Sequence, residues 1–146
     1  MTLSNKLTIS IPLLWLGFVL SISFMEAWLK FQAEGVTLAI GLSVGKLIFF
    51  ALNKVELLFL LVIGILTFRK QSLQRKHLVN ILVWLMVILL IQTFYLLPAL
   101  NQRAEMIISG NPPTTSFFHI YYIFLEVLKV IALLIFSHLT LKKHNG

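Results

Sequence analysis

The chain has 146 residues, 59% of them hydrophobic and 12% charged, with a net charge of +7, no cysteine and a mean hydropathy of +0.96. That length sets one domain, and the composition is that of a membrane protein rather than a soluble globule. Disulfides, thiolate metal sites and thiol catalysis are excluded. The positive charge lies in short runs beside apolar segments, which fits membrane topology and anionic headgroups rather than nucleic acid.

Residues 1–6 are a short polar start ending in Lys6. A first span is expected over 7–28, with Pro12 in its first turn or two, where proline is tolerated. It is too long for a signal-peptide core and no small-residue cleavage site follows, so it is expected to be retained. Glu26 and Lys30 are spaced i, i+4 in the favourable order for an ion pair. Residues 31–36 (FQAEGV) form a turn broken by Gly35. An apolar run then continues from Thr37 to Phe68, about 48 Å as a helix against a hydrocarbon core of about 30 Å. Its spanning part is placed at 44–68, and a bend or break is expected between Gly41 and Gly45.

Residues 69–77 (RKQSLQRKH) hold four Lys/Arg and are the densest charge run. The third span is placed at 78–97 and is expected to end at Pro98. Residues 101–115 read as a loop, marked by Gly110-Asn111-Pro112-Pro113. A fourth span covers 116–137, with Thr114, Thr115 or Ser116 as its cap. Together these define an all-α fold, an integral membrane four-helix bundle running up-down-up-down. Lys6, the 69–77 run and the Lys142-Lys143 tail hold seven of the twelve basic residues. An even number of spans puts all three on one side, which the positive-inside rule makes cytoplasmic. The expected location is therefore the cell membrane, multi-pass, with both termini inside.

Polar residues inside the spans mark where chemistry can occur, because a charged side chain at mid-bilayer costs several kcal/mol, on the order of 2.5–3.5 on insertion scales. His119, Tyr122, Glu126 and Lys129 fall within about 80° of one helical face. Lys46, Asn53 and Glu56 share a face of the second span, whereas Lys54 points about 160° away from Glu56. Counted from the outer boundary, Glu56 lies about 18 Å and Glu126 about 15 Å deep. Glu56 is expected to pair with Lys129, with Glu126 sharing that lysine and Asn53 hydrogen-bonded in the same cluster. Glu26, Lys46, Asn53, Glu56, His119, Tyr122, Glu126 and Lys129 are the candidate ligand-binding residues of a polar pocket open to the outside and sealed from the cytoplasm by aliphatic residues. A structural polar network that fixes helix packing accounts for the same residues. His119 has no second histidine at its depth, so no metal site is expected, and the sequence names no cofactor. Arg103 and Glu105 read as ordinary loop charges.

Residues 95–132 resemble the second half of a family of four-helix membrane proteins built on a domain of unknown function, whose eukaryotic relatives are linked with platinum-drug resistance. Leu97-Pro98, Asn101, Arg103, Phe117 and His119 match its pattern of a Leu-Pro helix end, a loop and an aromatic-x-His entering the last helix. Trp28-Leu29-Lys30 and Gly45-Lys46-Leu47-Ile48-Phe49 loosely resemble its first half. The resemblance implies a four-helix integral membrane protein and no assigned reaction; Lys54, Glu56, Glu126 and Lys129 lie outside the pattern. Asn53-x-x-Glu56 is also similar to the end of a helix-2 pattern in glutathione-dependent membrane enzymes of eicosanoid metabolism. Phe49 stands where those enzymes carry an arginine, and the basic loop here joins helices 2 and 3.

The functional expectation is a non-enzymatic membrane protein that binds or passes a small solute, ion or lipid-like molecule. The alternatives are an intramembrane enzyme using Asn53, Glu56 and His119 on a lipophilic substrate, of glutathione type or other, and a structural subunit of a membrane complex. The partners expected are the lipid bilayer and a small-molecule or ion ligand, with no nucleic acid; association into a homo- or hetero-oligomer is left open.

Overall fold

The computed structural model describes residues 3–69, 75–111 and 113–142, so residues 70–74 of the basic run and 143–146 of the tail lie outside the described residues. Four helices carry the fold: α1 (Leu3–Gln32), α2 (Leu38–Phe68), α3 (Arg75–Ile108) and α4 (Phe118–Lys142). Each is long and apolar enough to cross a membrane, and among the described residues there is no strand. α1 and α3 each pack against both α2 and α4.

Much of the apolar surface points away from the bundle: Phe94, Leu47 and Trp84 are 75%, 72% and 68% exposed. A water-soluble monomer rarely leaves contiguous apolar area of this kind uncovered. Inside, the packing divides into two apolar cores. The larger joins Ile11, Trp15 and Val19 of α1 to Ile63, Leu78, Leu82, Leu85, Leu89, Leu133 and Phe136. The smaller joins Leu96, Leu97 and Tyr122, with Phe49, Leu100, Phe118 and Leu125 against them.

Three sequence expectations about the helices are corrected. α2 is continuous from Leu38 to Phe68, with Thr37 capping it through a hydrogen bond from the Ile40 amide at 3.3 Å, and it does not break between Gly41 and Gly45. Those glycines provide room instead. A Cβ at Gly41 would collide with the Phe31 ring, and one at Gly45 would come within 2.7 Å of Lys30 Nζ. α3 does not end at Pro98 but continues to Ile108, taking in half of the stretch read as a loop. Proline lacks an N–H and its ring crowds the carbonyl four residues back. Here the preceding turn, Gln92–Leu96, is widened to π geometry, with the Leu97 amide bonded to the Gln92 carbonyl, so the helix passes through Pro98. α1 contains a similar wide turn at Leu20–Glu26. Because α1 begins at Leu3, Pro12 lies in its interior rather than its first turns. The turn at Gly35 stands as read, with φ +79° there, a left-handed conformation suited to glycine.

Candidate functional site

Between the two apolar cores lies a layer of buried polar side chains drawn from all four helices. Lys129 Nζ sits 2.6 Å from Glu56 Oε1 and 2.8 Å from Glu126 Oε1, and all three side chains are excluded from solvent. Trp15 Nε1 donates to Glu56 Oε1 at 2.9 Å, and Gln92 Nε2 donates to Glu126 Oε1 at 2.7 Å. Helix geometry places Glu126 and Lys129 on one face at i, i+3, and the lysine then bridges to α2. The expected pairing of Glu56 with Lys129, shared by Glu126, is present.

The layer is unbalanced in charge and in hydrogen bonding. Two carboxyl groups face one ammonium. Glu56 Oε2, Glu126 Oε2 and Gln92 Oε1 are all buried with no hydrogen-bond donor among the described residues. Buried acceptors are normally satisfied, so three in one layer mark a place suited to donors or positive charge. The phenol of Tyr122 faces Glu126.

Asn53 is close by but not part of the ionic cluster. Its Nδ2 donates at 2.9 Å to Thr93 Oγ1, whose own proton points to the Leu89 carbonyl at 2.6 Å. Thr93 follows Gln92 in the wide turn, so one irregularity in α3 presents two polar side chains to the layer.

Above Tyr122 a cleft of about 140 Å³ opens between the helices. Tyr122 and Phe49 form its floor, ring edge against ring face with centroids 5.5 Å apart. Lys30, Lys46, Asn101 and His119 line its sides, otherwise apolar through Leu97 and Leu100. Lys30 is held 3.2 Å from Glu26 and lies over the Phe31 and Phe49 rings at 5.5 Å. Lys46 pairs with Glu105, joining α2 to the far end of α3. The mouth is thereby compensated in charge, in contrast to the layer below.

Of the eight candidate residues, Glu56, Glu126 and Lys129 form the cluster, Tyr122 roofs it, and Asn53 borders it. Lys46 and His119 line the cleft, while Glu26 reaches it through Lys30. Of Asn53, Glu56 and His119, the trio an enzyme reading would use, the first two share a face of α2 but have other partners, Asn53 tied to Thr93 and Glu56 to Lys129 and Trp15, while His119 lies at the cleft wall beyond Tyr122. Glu105, read as a loop charge, belongs to the mouth. Trp15 and Thr93 were not foreseen; the indole N–H is the only polar atom in its part of α1 and no spacing rule points to it. Tyr95 lies 61% exposed, its ring against Phe118. Lys54 is exposed with its Nζ 4.3 Å over the Phe50 ring. Among the described residues no three His, Cys, Asp or Glu side chains gather as a metal site would require. No family model, curated protein or solved structure matches the chain.

Proposed function

We propose that the chain is an integral membrane protein of the cell membrane, an up-down-up-down bundle with both termini and the 69–77 connection cytoplasmic. Its outward cleft binds a small, partly apolar solute that carries a cationic or hydrogen-bond-donating group. The antiparallel arrangement is supported by contact order: Trp15 meets Glu56 while Lys30 lies beside Gly45, and Asn53 meets Thr93 while Lys46 meets Glu105. The sidedness rests on the basic residues gathered at one end. Cysteines placed at Ser72 and Ser109 of this cysteine-free chain are expected to label from opposite sides of the membrane. Labelling of Ser72→Cys from outside would overturn the orientation.

The observation that carries the binding reading is the cleft above Tyr122 together with three oxygens that have no donor among the described residues in the closed layer beneath it, which a ligand's donor group would reach by displacing the Tyr122 ring. Binding is favoured over passage because the space beyond the layer is filled by the larger apolar core, with Leu85, Leu133 and Phe136 fully buried. The family resemblance of residues 95–132 implies a four-helix integral membrane protein and no assigned reaction. Thermal unfolding in detergent with short alkylamines and the matched alkanoic acids tests the chemistry. The amines are expected to raise the midpoint of the native chain and not of Phe49→Trp, whose larger ring fills the cleft. Equal stabilisation by the acids, or none by either series, would sink this reading.

A further inference from the structure

A second cavity lies elsewhere, on the side of the bundle between the end of α2 and the start of α3. It is an open groove of about 700 Å³ whose walls include Leu61, Ile65, Val83, Met86 and Leu90, and almost nothing polar lines it except at one end, where Phe68 and Arg69 close it. Arg75, the first residue of α3, places its guanidinium 5.6 Å over the Phe68 ring, so a second arginine stands at the same end. No acidic residue occurs between Glu56 and Glu105, so the local sequence offers neither arginine a carboxylate.

Gly64 lies in the middle of the groove wall. A Cβ there would meet no atom within 4 Å, unlike at Gly41 and Gly45, so close packing does not require this glycine. Its φ is not positive, so backbone conformation does not require it either. Glycine inside a helix is less favourable than alanine. What its missing side chain provides is volume in the groove.

We propose that this groove holds one acyl chain of an anionic phospholipid, with the headgroup phosphate on Arg69 and Arg75. From Leu57 to Arg69 the groove runs about 18 Å along α2, close to the roughly 15 Å depth of one leaflet and well short of a spanning helix. A guanidinium matches phosphate oxygens in a bidentate fork, and the stacked position of Arg75 pre-orients it. An anionic headgroup, with no choline-type cation of its own, complements two arginines that have no acid nearby. The site rests on the membrane reading above and is independent of the solute cleft.

The test is native mass spectrometry of the full chain released from nanodiscs of equal phosphatidylglycerol and phosphatidylcholine. The native protein is expected to retain one phosphatidylglycerol in preference to phosphatidylcholine. Arg69→Gln and Arg75→Gln should each lower that preference about fivefold, as about 1 kcal/mol per basic residue at an anionic surface implies. Gly64→Leu should abolish retention of either lipid without lowering the unfolding temperature, because its side chain enters open space; Gly64→Ala is the mild control. Unchanged phosphatidylglycerol retention in Gly64→Leu would overturn the site, as would a dimer of this chain that Gly64→Leu disperses, since a second copy would then occupy the groove. Failure of the chain to insert into nanodiscs at all would instead strike the membrane reading, so the two failures are distinguishable.

Discussion

At the level of Glu56 the four helices meet through an ion cluster, an indole N–H and two side-chain amides. Two turns further along α2, at the level of Ile63, they meet through an apolar cluster that includes Ile11, Leu82, Leu85, Leu133 and Phe136. Both levels are fully buried, yet they constrain the bundle differently. Aliphatic contacts are non-directional and tolerate small slides or exchanges of similar volume. Hydrogen bonds of 2.6–2.9 Å between Trp15, Glu56, Gln92, Glu126 and Lys129 fix depth and rotation together. On the proposed membrane reading, where apolar side chains gain little by leaving hydrocarbon for one another, the polar layer is the part that would specify register.

The largest effect should come from Lys129→Met, which leaves two buried carboxyl groups without their cation. Losing one partner of a buried pair costs about 3–5 kcal/mol, whereas removing the whole set can be nearly neutral. Unfolding in detergent should therefore rank Lys129→Met as the least stable variant, with Glu56→Gln added to it recovering part of the loss. Strictly additive losses would mean that the layer is no ionic unit. Trp15→Phe keeps an aromatic in the apolar core but removes the donor to Glu56, and a loss of about 1.5–3 kcal/mol is expected, the range for hydrogen bonds to charged groups. A neutral result would move register control to the apolar level. Gly41→Ala should cost about 1–3 kcal/mol by overpacking against Phe31. At the mouth, Lys46→Gln should change stability by less than about 1 kcal/mol, because Glu105 is 67% exposed and the pair is screened.

The helices were legible from hydropathy, and the Glu56–Lys129–Glu126 cluster from depth counting, since lone charges in an apolar layer have few places to find partners. Other features were hidden for identifiable reasons. Pro98 read as a stop because a proline's effect depends on the turn before it, and the wide turn at Gln92–Leu96 has no composition signature. Gly41 and Gly45 read as weak points because sequence alone does not tell a hinge from a socket; only the positions of Phe31 and Lys30 decide it. Trp15 supplies its donor from a stretch with no other polar group near it, so helical periodicity gave it no polar face. Asn53 was placed at the right depth but with the wrong partner, because Thr93 looked unremarkable beside Gln92.

The bridge from Glu56 to Lys129 spans 73 residues of chain, whereas Glu126 and Lys129 are one turn apart. On the proposed membrane topology, α4 would reach the insertion machinery with its acid and base already able to neutralise one another. α2 would arrive much earlier, with Glu56 and no cation within a turn of it on that face, since Lys46 lies ten residues away and pairs with Glu105. In that interval Trp15, on the helix made just before, is the group that can meet it. On that reading the first hairpin would be a provisional assembly, completed when the last helix docks. Chains truncated ahead of α4 are expected to be retained by quality control or degraded, and a pulse-chase of such truncations against the full chain measures it.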